Sequence, residues 1–276
     1  MWKVFFIVLI ILVSNLYAGE YERREEQFRS VGTCFRGVFF DGDWMAVGTS
    51  YRDLLLVNFL TGETKQITSP ILVNDFFISQ NKLFILTDQQ LKIFDLENMV
   101  LELPIDLKIE KRAVSLFIKK DKVFISNYRA GTSVYSLKSR AKITSFNFQG
   151  NAESTFIYNN TGYIYASAAG ISGGQILSAV HRFNPNTYKI EHTVLIGGAP
   201  GRGLFVDNEN VFLGEHFYWQ VKKSKIDKRK YIFRYKSVFI PKPNAKGRAF
   251  RDEKNLYYCD ESFSRPHIRL RSKIER

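Results

Sequence analysis

The sequence predicts an all-β fold: a six-bladed β-propeller closed by N- and C-terminal strands, with seven blades as the alternative. Three observations lead there. Aromatic residues make up 15% of the chain, with 24 Phe and 14 Tyr, and such side chains suit pleated, half-buried surfaces. Short apolar runs alternate with turns rich in Gly, Asn and Asp, and within the repeating stretch none is long enough for a buried helix. The runs come in groups of four. Trp44, Leu83, Val123, Tyr163, Val211 and Leu256 mark the second run of successive groups, a step of about forty residues, which is the period of a propeller blade. A lone four-stranded meander cannot cover both its faces, so each group needs neighbours of its own kind.

The groups follow in order. The first runs from Cys34 to Ser69 (FRGVFFDG, DWMAVGTS, DLLLVNFLTG, TKQITS), and the second from Ile71 to Asp106 (NDFFISQ, NKLFILTD, LKIFDLEN, MVLELPI). The third, Ala113 to Ile143, is the clearest meander. The fourth, Ser154 to Gly197, contains the Gly-rich stretch AAGISGGQ, read as a surface-loop insertion. The fifth, Arg202 to Ile240, places VKKSKID and YIFRYKSVFI as its outer runs. The sixth begins at Arg248 and runs out of chain before a fourth run. An unpaired edge is a liability that sheets avoid. The segment Gln27 to Val31 is therefore expected to supply the missing strand, although Glu20 to Ser30 also reads as a charged arm.

Residues 1–18 have the layout of a signal peptide: Lys3, a continuous apolar run from Val4 to Val13, then small residues before EYERREE. The expectation is an exported protein, periplasmic or secreted, with residues 19–276 as a single propeller domain and no transmembrane segment after cleavage. An uncleaved anchor is the alternative. In such a compartment Cys34 and Cys259 are disulfide candidates. They fall in the first and last groups, which a closed ring makes neighbours; two separate buried thiols are the other reading. The formal charge of +13 favours acidic partners, and after export nucleic acid is the least available of these.

The stretch VLIGGAPGRGLFVDNENVFLGE, Val194 to Glu215, resembles quinoprotein-like and YVTN-type β-propeller repeats, as do the paired outer runs LLLVNFLTGETKQI and AVHRFNPNTYKI. The resemblance implies a propeller with its inner strands lining a central channel. It implies no one activity, since such families include enzymes, scaffolds and ligand sensors. The tryptophan-docking signatures of true quinoproteins are missing, so no cofactor is expected.

Arginines stand where the first run of three groups begins: Arg36 in FRGVFF, Arg202 in GRGLFV and Arg248 in GRAFR. Arg112 in KRAVSLF is a looser fourth. The guanidinium fork matches carboxylate, phosphate or sulfate. These residues, flanked by Tyr51 and Tyr218, are the candidate ligand-binding set for an anionic small molecule, a glycan or an acidic protein segment. The bland reading pairs each Arg with a neighbouring acid. No catalytic motif rises above background. Glu215 and His216 are the only acid–histidine pair near the expected channel mouth, and they would serve a lyase or hydrolase acting on an acidic glycan. A scaffold in a cell-envelope complex is the remaining alternative. No spaced set of metal ligands is evident. Of the acids and amides by which six-bladed calcium lactonases hold their metal, only Asn74 and Glu153 have counterparts.

Overall fold

The computed structural model describes residues 22–34, 37–107, 112–172, 175–198, 203–214, 218–232, 236–238, 250–251, 255–260 and 265–270. These are mostly β-strand, arranged as successive antiparallel sheets, none of which closes on itself. The first sheet is β1 (Val38–Asp41), β2 (Trp44–Gly48), β3 (Asp53–Asn58) and β4 (Thr64–Thr68), paired in that order. The second is β5 (Asp75–Ser79), β6 (Lys82–Leu86), β7 (Gln90–Asp95) and β8 (Val100–Leu101), with β9 (Ile105–Asp106) also on β7. The third is β10 (Ala113–Lys119), β11 (Lys122–Asn127), β12 (Gly131–Ser136) and β13 (Lys142–Phe146). The fourth holds β14 (Asn151–Tyr158), β15 (Thr161–Ser172), β16 (Gln175–Asn184) and β17 (Lys189–Gly197). The fifth holds β18 (Leu204–Val206), β19 (Asn210–Leu213) and β20 (Tyr218–Lys222). After a short helix and β21 (Tyr231–Ile232), β22 (Lys236–Val238) completes that sheet. The sixth is β23 (Phe250–Arg251), β24 (Asn255–Asp260) and β25 (Arg265–Leu270).

Local chemistry explains why the strands turn where they do. Asn159 and Asn160 both take left-handed φ, 44° and 63°, the conformation a two-residue hairpin needs between twisted strands. At the end of the third strand, Asn58, Asp95 and Asn184 each accept two backbone N–H bonds from the turn that follows. The same side-chain device thus closes the outer hairpin of three sheets.

Consecutive sheets pack face to face through apolar side chains. Trp44, Leu54 and Leu56 of the first meet Phe76, Leu83 and Phe94 of the second. Further cores join the second sheet to the third, the third to the fourth, and the fourth to the fifth. The other face of the first sheet is covered as well. Val38, Phe40 and Val47 pack there with Tyr257 and Cys259 of β24 and with Phe28. Cys34 and Cys259 are joined by a disulfide with their Cα atoms 5.1 Å apart.

Three expectations need correction. The segment Gln27 to Val31 does not add a strand to the sixth sheet: residues 22–30 form a helix, α1. Its residues are mostly straight-chain Glu, Arg and Gln, which lose little rotamer freedom in a helix. Phe28 and Val31 are buried against the first and sixth sheets. The stretch VKKSKID is not a strand throughout. After β20 the chain forms α2 (Lys223–Lys228), whose Ile226 is buried. Asp227 accepts a 2.6 Å bond from Arg182 of the fourth sheet, and β21 then pairs in parallel with β17. Finally, the Gly-rich insertion is largely an extension of the hairpin, pairing Gly170 with Leu177 and Ile171 with Ile176 beyond a bulge. Among the described residues no helix is long and apolar enough to cross a membrane. Residues 1–18 lie outside the described residues.

Candidate functional site

The first strands of neighbouring sheets lie side by side: β1 against β5, β5 against β10, β10 against β14, and β14 against β18, with β1 also meeting β23 and β24. One side chain per strand links them. Phe39 lies 5.0 Å from Phe77, Phe77 5.5 Å from Phe117, Phe117 5.1 Å from Phe156, and Phe156 5.3 Å from Phe205, ring centroid to centroid. All five stand at the same place in their hairpins, two pairing steps before the turn. The backbone pairing of Phe250 with Tyr257 puts that residue at the same register in the sixth sheet. Such pairs contribute roughly 0.5–1.5 kcal/mol each beyond the area they bury. The series was readable in the sequence as a phenylalanine at one fixed offset from each turn. Alternation alone hides it, because it does not say which apolar position meets the next sheet.

Of the proposed ligand set, Arg36, Arg202 and Arg248 lie outside the described residues, as do Glu215 and His216. Counted along the sequence, Arg36 and Arg202 stand three residues before Phe39 and Phe205, whereas Arg248 stands two before Phe250. Arg112 is exposed, and its carbonyl accepts the N–H of Tyr128 at 2.9 Å. Tyr128 is partly exposed, with the Arg129 guanidinium 5.2 Å from its ring centre. Tyr51 is 46% exposed on the loop between β2 and β3. Asp53, the first residue of β3, accepts bonds from Ser50 at 2.6 Å and Thr68 at 2.7 Å, and the Ser50 and Thr68 hydroxyls hold its carboxyl below the usual range. It therefore acts as a loop brace. Asp88 is likewise held by the Asn74 amide at 2.6 Å. Tyr218 opens β20, and only its backbone is described.

A second site carries no sequence motif. On one face of the fourth sheet, Ala166, Ala169 and Ala179 form a patch of small residues against Phe148 and Leu195. Where larger side chains would fill the layer, these leave a cleft of about 420 Å³ that reaches His181, Thr193, Lys230 and Tyr231. His181 Nδ1 is 2.9 Å from Thr193 Oγ1, and its ring lies 4.4 Å from that of Phe148. Its Nε2 is buried with no hydrogen-bond partner. Burial lowers the His181 pKa to about 4, so the imidazole is neutral at pH 7. His192, at the edge of the same cleft, has Nε2 3.0 Å from the carbonyl of Arg229. A carbonyl only accepts, so this nitrogen carries the hydrogen. Both histidines stand in outer runs of the fourth group, and nothing in a period of two tells which side chain will border a void. Among the described residues, no group of three His, Cys, Asp or Glu is placed to hold a metal.

No protein-family description matches this chain, and no curated protein does. Among solved structures, hydrazine synthase of Kuenenia stuttgartiensis is similar over 87% of this chain and 77% of its own, at 10% identity and a TM-score of 0.60. The computationally designed Ika8 protein matches over 86% of this chain and 96% of its own, at 8% identity and a TM-score of 0.49. At 10% identity the likeness to the synthase is one of fold and carries no activity.

Proposed function

We propose that the chain is an exported six-bladed β-propeller that works as a binding module for an anionic ligand, or an acidic protein or glycan segment, at its central mouth. The observation that carries this reading is the cover on both faces of the first sheet. The second sheet lies on one side, and the sixth sheet with α1 lies on the other. In an open stack the first and last sheets would be the far ends. Here the disulfide and the packing of β1 against β23 and β24 bring them together. The seam is then closed by a helix and a disulfide, and the phenylalanine series is the inner lining of a ring. The disulfide also fits an oxidising compartment.

In a ring, the starts of all first strands share one opening. Arg36 and Arg202 occupy equivalent places three residues before their lining phenylalanines, with Arg112 and Arg248 close to the same level. Several guanidinium groups around one opening repel one another unless an anion lies among them. Tyr51 and Tyr218 flank the opening as contact surfaces. The nearby acids Asp53 and Asp88 are engaged in bracing their own loops.

The test uses the full chain on immobilised heparin, a sulfated glycan. The double reversal Arg36→Glu/Arg202→Glu is compared with Lys222→Glu/Lys228→Glu, which makes the same change of charge away from the mouth. The mouth pair is expected to weaken retention at least about tenfold, equivalent to about 1.4 kcal/mol, with the fold intact by circular dichroism. Equal loss in both variants would mean general charge attraction, and the mouth reading would fail. Turnover of the glycan that disappears in His216→Ala would replace the binding module with an enzyme.

A further inference from the structure

The cleft on the fourth sheet has the features of a built small-molecule site, and it is separate from the central mouth. Its volume of about 420 Å³ lies in the range of small-ligand pockets, roughly 300–1,000 Å³. Its inner wall is apolar, made by Ala169, Ala179 and Leu195. A dry wall alone would be a packing defect. What marks this one is His181, only 5% exposed, with one ring nitrogen satisfied by Thr193 and the other buried without a partner. Leaving a buried polar atom unpaired costs about 1–3 kcal/mol, and a ligand atom that displaces the neighbours now sealing that nitrogen from the cleft removes the cost.

The chemistry of the two ends differs. At the deep end the imidazole is neutral, so it suits an uncharged group. If Thr193 donates to Nδ1, then Nε2–H donates to a hydroxyl or carbonyl oxygen; in the other tautomer Nε2 accepts from a hydroxyl. A ligand hydroxyl satisfies both cases. At the rim stands Lys230, exposed and held beside the wall because its carbonyl accepts the N–H of Leu195 at 2.8 Å. Thr193, the partner of His181, and Leu195 are two residues apart on β17, which is about 7 Å along a strand. That separation is about the length of a substituted aromatic ring with a short arm.

We propose that this cleft binds a small monocarboxylate with an apolar, ring-sized body, its far end bearing a hydroxyl that meets His181 Nε2 while its carboxylate pairs with Lys230. The alanines are the specificity element: their methyl groups set the thickness of what can enter. Gln149 also lines the cleft. The proposal does not depend on what the central mouth binds.

The experiment titrates the full, disulfide-intact chain at pH 7 with 3-(4-hydroxyphenyl)propionate by calorimetry. It is repeated with 3-phenylpropionate, which lacks the hydroxyl, and with 3-(4-hydroxyphenyl)propan-1-ol, which lacks the carboxylate. The hydroxy acid is expected to bind at least about tenfold more tightly than either analogue. Lys230→Met, a change at an exposed position that leaves the core alone, is expected to abolish the preference for the acid over the alcohol and keep the preference for the hydroxyl. Ala179→Leu fills the cleft and is expected to remove binding of all three. Should that variant fail to fold, the Lys230→Met result and the shift of the His181 imidazole signals in the wild type on adding the hydroxy acid still decide. The proposal is overturned by absence of millimolar or tighter binding of the hydroxy acid. It is equally overturned by binding that ignores Lys230→Met, or that leaves the His181 signals in place.

Discussion

His181 stays neutral across the physiological range because its ring lies between Phe148 and the sheet, out of water. That places a pH dependence on a single residue. Its ordinary pKa of 6.5 falls to about 4 in the folded chain. Below pH 6.5 the unfolded chain takes up a proton that the folded chain refuses, so stability declines as pH falls from 6.5 towards 4. Below that window the folded state is protonated as well, and the decline from this group stops. The shift sets a ceiling of about 3 kcal/mol on the loss. In urea unfolding at pH 7 and pH 4, the wild type is expected to lose up to that much more stability than His181→Phe. Parallel losses in the two proteins would mean that the ring is solvated. At this scale the sequence was only partly readable. Phe39, Phe77, Phe117, Phe156 and Phe205 stand at one offset from successive turns, and a count from the turns would have found them. His181 could not be found that way, because its importance comes from Ala179 two residues away on its own strand, from Ala169 on the neighbouring β15 and from the Phe148 ring that follows another sheet.

The helix α1 and the pair α2–β21 are held by packing that their charged sequences do not announce. Helix residues 22–30 are too few to be stable alone in water, where about 12–15 residues are already marginal. Docking therefore supplies the stability. Phe28 is fully buried and meets Tyr257 edge-on at 5.6 Å and Phe40 at 6.3 Å. By contrast, the Glu25–Arg29 pair on its outer side is exposed and 4.0 Å long, and exposed pairs contribute little. Phe28→Ala is expected to cost about 3–5 kcal/mol, against less than about 0.5 kcal/mol for Arg29→Ala, both measured by urea unfolding. Similar small losses would show that the helix is not docked. In both places a run of charges adjoins the apolar side chains that dock. A run such as EYERREE reads as a solvated arm until one sees that Phe28 and Val31 share a face. VKKSKID reads as an outer strand until Ile226 is buried among residues of the fourth and fifth sheets and Arg182 captures Asp227. The four-stranded meanders, by contrast, were legible because both their period of two and their turn residues are local properties.

At the scale of the whole molecule, the first and sixth sheets are held together by the disulfide, α1 and the contacts of β1. The bond spans 225 residues of sequence, and constraining a loop of that length stabilises a fold by about 5 kcal/mol on the chain-entropy estimate. Where that stabilisation is felt depends on the arrangement of the sheets. If they form a ring, reduction opens one seam. Amide protection should then fall first in β1, β2 and β24, later in β5 to β8, and last in β10 to β16, which lie furthest from the cut. The oxidised protein should show comparable protection in the first and third sheets, since each is packed on both faces. If the sheets form an open stack, the first sheet is a terminal unit and exchanges faster than the third even when oxidised, and reduction changes little beyond the two cysteines. Hydrogen exchange by mass spectrometry, with and without a reductant, separates these outcomes through the order in which the sheets lose protection. The ring arrangement predicts a gradient that starts at Cys34 and Cys259 and runs away from them in both directions. The double variant Cys34→Ala/Cys259→Ala should reproduce that gradient without any reductant, which distinguishes loss of the bond from side effects of the reagent.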